Sequence, residues 1–108
     1  MAEPRPRVRL PAKAAKGDVI QIKTLVSHRM ESGQRKDEQG QKIPRKIINK
    51  FVCKLNGKQV FSMDLHPAVS TNPYIVFHVR VMESGTFEFS WIDDDGSVYS
   101  KTASIEVI

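Results

Sequence analysis

Three observations in the sequence predict an all-β chain folded as a sandwich of two sheets. Apolar residues recur with a period of two, and no stretch shows a helical period. Turn signals return every ~8–12 residues. The chain is 108 residues long, enough for one domain with one modest core. Six to seven short antiparallel strands in this pattern describe an immunoglobulin-like β-sandwich, here without the inter-sheet disulfide because Cys53 is the only cysteine.

Residues 1–17 are rich in Pro, Ala and basic side chains and end at Gly17. Prolines at 4, 6 and 11 exclude a helix, so this stretch reads as an extended basic arm with Val8 and Leu10 laid against a sheet edge. The domain proper is expected over 18–108. Ile20, Ile22 and Val26 alternate with Gln21 and Lys23 in its first strand. Residues 27–46 form a polar, charged loop of about twenty residues, a length that is usually functional or mobile. Ile47, Asn49, Phe51, Cys53 and Leu55 then share one strand face, and Asn56-Gly57 signals a tight hairpin because a type I′ turn needs positive φ at both central residues.

The return strand places Phe61, Met63 and Leu65 on one face, and a loop with two prolines runs from His66 to Pro73. Ile75, Phe77, Val79 and Val81 line the inner face of the next strand. Glu83-Ser84-Gly85 turns the chain into a strand with Phe87, Phe89 and Trp91 inward, and Asp93-Asp94-Asp95-Gly96 turns it again into a last strand over 98–107.

The net charge of +5 is unevenly spread. Residues 1–54 hold 14 Lys/Arg against 5 Asp/Glu, and residues 55–108 hold 3 against 7. Such a dipole can steer charged partners. Nucleic acid fits poorly, because all eight aromatics lie from Phe51 onward and leave the basic arm and loop with no stacking platform. No apolar run is long enough to cross a membrane, and the N-terminus has no apolar region of the kind a signal peptide needs.

No catalytic or metal motif stands out. Cys53 is in phase with Phe51 and Leu55 and reads as a buried core residue, away from the opposite face that carries Lys50 and Lys54. His28, His66 and His78 have no ligand-like spacing. The acidic run from Asp93 fails the calcium-loop pattern, with Val98 at the sixth position and Ser104 at the twelfth, and reads as a solvated hairpin turn. No Gly-x-Ser-x-Gly elbow or phosphate loop is present. The expectation is therefore a non-enzyme without cofactor. The loop carrying Arg29, Arg35, Lys36, Arg45 and Lys46 reads equally as a solvated loop or as a docking surface for an acidic partner.

The wording of the chain adds to this. The stretches from Pro6 to Val19, from Ile22 to Asp37 and from Ile43 to Phe51 resemble the SoxZ family, the Z subunits of the Sox sulfur-oxidation carrier. Asn72-Pro73-Tyr74, the stretch from Ser84 to Trp91, and Asp93-Asp94-Asp95-Gly96 continue the likeness nearly end to end. The resemblance implies an immunoglobulin-like sandwich that pairs with a SoxY-type subunit in a heterodimer. That subunit carries the substrate of thiosulfate oxidation covalently on the cysteine of a C-terminal Gly-Gly-Cys-Gly-Gly arm and meets other Sox enzymes transiently. The present sequence has no Gly-Gly dipeptide and ends in a strand pattern, so the arm is not expected here and Cys53 does not inherit its role.

The resemblance further implies a periplasmic location, reached by export together with the SoxY-type partner. The expected role is a scaffold on which no bond is made or broken. His66, Val69, Pro73 and Tyr74 are the expected partner-binding residues, and Arg29, Arg35, Lys36, Arg45 and Lys46 the expected enzyme-docking residues. The isolated chain would be free to self-associate through the face its partner covers. The alternatives are a basic β-sandwich binding nucleic acid or another acidic partner, distinguished by a steep salt dependence, and a small thiol enzyme using Cys53, distinguished by alkylation of the native chain.

Overall fold

A computed structural model describes residues 5–27, 30, 36–42, 45–65 and 73–108. The described chain is all β. Eight strands follow in order: β1 (Pro6–Arg9), β2 (Lys13–Ala14), β3 (Val19–Val26), β4 (Ile48–Leu55), β5 (Lys58–Asp64), β6 (Tyr74–Arg80), β7 (Gly85–Asp93) and β8 (Val98–Val107). They form a three-stranded sheet, β1-β3-β6, and a five-stranded sheet, β2-β8-β7-β4-β5. The two inner faces pack as a β-sandwich.

The count exceeds six to seven because the N-terminal stretch contributes two short strands, one to each sheet. β1 pairs antiparallel with β3, from Pro6 opposite Val26 to Arg9 opposite Lys23. The chain then crosses to the other sheet, where β2 runs parallel to β8. That one parallel ladder departs from the all-antiparallel expectation. Its bonds include Glu106 N–H to Ala12 O and Ile108 N–H to Ala14 O, both 2.9 Å.

Strict alternation builds the core. Ile20, Ile22 and Val26 of β3, Ile75, Phe77 and Val79 of β6, and Phe87, Phe89 and Trp91 of β7 are all buried. Each such side chain contributes roughly 1.5–3 kcal/mol relative to full exposure. The sheets are joined by aromatics. Phe77 on β6 lies edge-on to Phe51 on β4 at 5.7 Å and stacks on Phe61 of β5 at 4.3 Å. Phe51 also meets Trp91 at 5.1 Å.

The ladder is irregular at two places along β4. Against β5 the register shifts between Cys53 and Lys54, with one residue more on the β5 side. The alternation itself fails at the start of β4. The register against β7 shifts between Ile48 and Lys50, so one residue more is fitted on the β4 side. As a result Ile47 and Ile48 are both fully buried and Asn49 is not in phase with Phe51. The Asn56-Gly57 hairpin is as its residues require, with φ of 52° and 82°.

Candidate partner interface

The outer face of the three-stranded sheet presents apolar and cationic side chains together. Because Ile75, Phe77 and Val79 are held inward by the core, β6 must turn Tyr74, Val76, His78 and Arg80 outward. Tyr74 is 60% exposed and Val76 40%. Strand pairing aligns Arg7, Leu25 and Tyr74 in one row across the sheet, and Arg9, Lys23 and Val76 in the next. Between these rows lies a groove of about 430 Å³, lined by Arg7, Val8, Arg9, Lys23, Thr24, Leu25 and Tyr74.

Sequence reading did not single out Arg7, Arg9 and Lys23. The alternation Pro6-Arg7-Val8-Arg9-Leu10 signals an amphipathic strand, but only the register shows that its cations stand beside Lys23 and near Tyr74.

The expected partner-binding residues fare differently from one another. Tyr74 stands on this face. Pro73 is fully buried, so its ring offers no contact surface, a correction to the reading that put it in the interface. Its carbonyl instead accepts the Val26 N–H at 3.3 Å, which ties the start of β6 to the end of β3. His66 and Val69 lie outside the described residues.

Of the expected docking cations, Arg29 and Arg35 also lie outside them. Lys36 is exposed, bridged to Lys42 across a small turn in which Asp37 Oδ1 accepts the N–H groups of Gln39 and Gln41. Arg45 and Lys46 are not free cations. Arg45 forms a two-pronged pair with Asp94, and Lys46 Nζ lies 3.3 Å from Asp95 Oδ2.

The acidic turn is therefore an anchor, where the sequence suggested only solvated side chains. Asp94 also accepts the Ile47 N–H at 3.1 Å and an Asn49 side-chain N–H at 3.0 Å. Partial burial works to raise its carboxyl, but these donors and Arg45 prevail and hold it below the usual carboxylate value. Asp95 is held low chiefly by the Ser97 N–H. Asp93 is buried and accepts the Tyr99 hydroxyl at 2.8 Å; burial first, and this neighbour second, push the Tyr99 phenol up to about 12.

Cys53 is fully buried, and burial pushes its thiol up to about 12. A thiol in that state supplies essentially no thiolate at neutral pH. Among the described residues no group of three His, Cys, Asp or Glu side chains is placed to hold a metal ion.

Residues 8–104 match the family model of the sulphur oxidation protein SoxZ. The chain belongs to the SoxZ family. It is a non-catalytic component of the carrier system of sulfur and thiosulfate oxidation, and its partnership is with a SoxY-type subunit.

No curated protein sequence matches significantly. Solved structures show where else the fold occurs. The superoxide reductase (neelaredoxin) of Ignicoccus hospitalis superposes with a TM-score of 0.73 at 14% identity, covering 95% of this chain and 80% of its own. A superoxide reductase described as putative, from Thermotoga maritima, gives 0.71 at 18% identity, covering 95% and 85%. The sulfur carrier protein SoxY from Chlorobium limicola f thiosulfatophilum gives 0.65 at 12% identity, covering 94% and 74%. At these identities the likeness is one of fold.

Proposed function

We propose that this chain is an immunoglobulin-like subunit that forms a heterodimer with a SoxY-type subunit through the outer face of β1-β3-β6. The observation that carries the reading is the exposed pair Tyr74 and Val76 on β6, an outer strand of its sheet among the described residues. Apolar side chains held outward on a rigid, core-anchored strand are what a stable partner covers.

The subunit stabilises the carrier and adds surface to it, while the substrate is borne by the partner. It works in the periplasm, exported together with that partner. Transient docking of the Sox enzymes is assigned to the exposed cations of the 27–46 loop, of which Lys36 and Lys42 stand clear of carboxylates among the described residues. Without its partner, the same outer face is available for self-association.

Co-expression with the SoxY-type subunit tests the reading. The wild-type chain is expected to co-purify in a one-to-one complex. A Tyr74→Asp/Val76→Asp variant is expected to fold, because both side chains face solvent, and to lose the partner. Retention of the partner by that variant would place the interface elsewhere.

A further inference from the structure

Apolar contact explains only half of the face just described. The same two rows carry Arg7, Arg9 and Lys23, brought from two strands onto one side. None of these has a carboxylate partner among the described residues, whereas Arg45, Lys46 and Lys13 elsewhere each have one. No acidic side chain lines the groove between them. Within these two rows the face is thus divided along its width: cations over β1 and at Lys23 of β3, and Leu25, Tyr74 and Val76 toward β6. The cation further along β6, Arg80, is engaged with Gly17 O at 2.9 Å.

That division selects the ligand. A small anion would use the cations and leave the apolar half unsatisfied, and these cations are not buried as a built anion site requires. A nucleic-acid strand would find one aromatic ring beside aliphatic side chains, not the series of stacking rings such a strand uses. An extended protein segment with acidic side chains on one flank and apolar ones on the other satisfies both halves. Guanidinium groups take carboxylates with two parallel hydrogen bonds, which also fixes register.

We propose that the groove over Arg7, Arg9, Lys23, Leu25 and Tyr74 receives an extended acidic-and-apolar segment of the SoxY-type subunit, carboxylates over the cations and apolar side chains over Leu25 and Tyr74. The proposal deepens the pairing reading above and rests on it. It makes pairing dependent on salt, with charge setting the association rate and the register.

The test uses the complete two-subunit complex. Arg7→Glu/Arg9→Glu/Lys23→Glu is expected to melt like the wild type, since the three side chains face outward, and to weaken pairing by about tenfold or more. A Lys36→Glu/Lys42→Glu control is expected to pair normally. Carbodiimide coupling, which joins an amine to a carboxylate as an amide, is expected to link Lys23 to an Asp or Glu of the partner, mapped by mass spectrometry.

Unchanged pairing of the triple variant at every salt concentration would overturn the proposal. So would coupling of the partner's carboxylates to other lysines with none to Lys23, or displacement of the partner by an equimolar single-stranded RNA. If Tyr74→Asp/Val76→Asp abolishes pairing while the triple charge variant does not, the interface stands and the acidic segment fails. If neither variant affects pairing, the interface reading itself fails.

Discussion

Arg45 donates through Nε and Nη2 to the two carboxylate oxygens of Asp94, each at 2.9 Å, across 49 positions of sequence. The pair joins the end of the long charged loop to the turn between β7 and β8. Its carboxylate side is mostly shielded, with 14% of the Asp94 side chain exposed, and it carries the Ile47 and Asn49 donors as well. It is a hub rather than a surface ion pair of negligible worth.

Asp94→Ala is therefore expected to destabilise the chain by about 1–3 kcal/mol, because several donors lose their acceptor at once. Arg45→Gln is expected to cost less, since Ile47 and Asn49 still hold the carboxylate. The acid limb follows from the lowered carboxyl. A group whose folded pKa lies below its unfolded one stabilises the fold above the unfolded value, here 3.8, and loses that contribution as pH falls through the folded one. Melting temperatures in acid should fall more steeply for the wild type than for Asp94→Asn, and parallel curves would contradict the assignment.

Cys53 makes the opposite prediction at alkaline pH. Its thiol is raised from 9.0 to about 12, so the folded chain keeps a proton that the unfolded chain has released. Stability is complete below about 9 and declines as pH rises toward 12. Cys53→Ala should lessen this alkaline decline, and Tyr99→Phe should lessen it again, because Tyr99 is raised in the same sense. Native chain at neutral pH should not react with a disulfide reagent, and unfolded chain should react with one equivalent. Rapid native labelling would contradict the burial.

Asn56, exposed at the tip of the β4–β5 hairpin, ties that hairpin to the start of β7. With φ of 52° it takes a backbone conformation open to Asn, while Oδ1 accepts the Thr86 N–H at 3.1 Å and Nδ2 donates to Ser84 O at 3.2 Å. A Cβ on Gly85 would collide with this side chain. Asn56→Ala should cost about 1–3 kcal/mol, combining backbone strain with lost hydrogen bonds, and Gly85→Ala should also destabilise. Thermal melts of the two variants check both.

Most strands were legible because one face of each is buried and the other is not. The alternation in Ile75, Phe77, Val79 and in Phe87, Phe89, Trp91 leaves no other register, and both runs are buried as read. Asn56-Gly57 announced its turn by chemistry. What escaped depended on long-range pairing. The β4 bulge that buries Ile47 and Ile48 together has no local signature, and the two short strands in the first seventeen residues exist because β3 and β8 offer edges to them. At the site, Tyr74 could be placed by the proline before it, but not Pro73's own burial. The basic loop was legible as charge; its pairing with Asp94 and Asp95 was not, because the partners lie almost fifty positions away.

Phe77 gives a prediction that links core to surface. It is buried between Phe51 and Phe61 and lies on the strand that presents Tyr74 and Val76. Phe77→Ala should cost about 3–5 kcal/mol, and Phe77→Leu less. At temperatures where Phe77→Leu remains folded, pairing with the SoxY-type subunit should persist, because the outward side chains are unchanged. Loss of pairing by a fully folded Phe77→Leu would show that the inner and outer faces of β6 are not separable.

The central claim is that this chain is a non-catalytic subunit that pairs with a SoxY-type subunit while the partner carries the substrate. The direct measurement is intact mass spectrometry of both subunits, isolated together from cells oxidising thiosulfate. The account predicts the two chains in equal amounts, sulfur-containing adducts on the partner, and an unmodified mass for this chain with Cys53 as a free thiol. A sulfur adduct on Cys53, or recovery of this chain with no SoxY-type subunit bound, would contradict it.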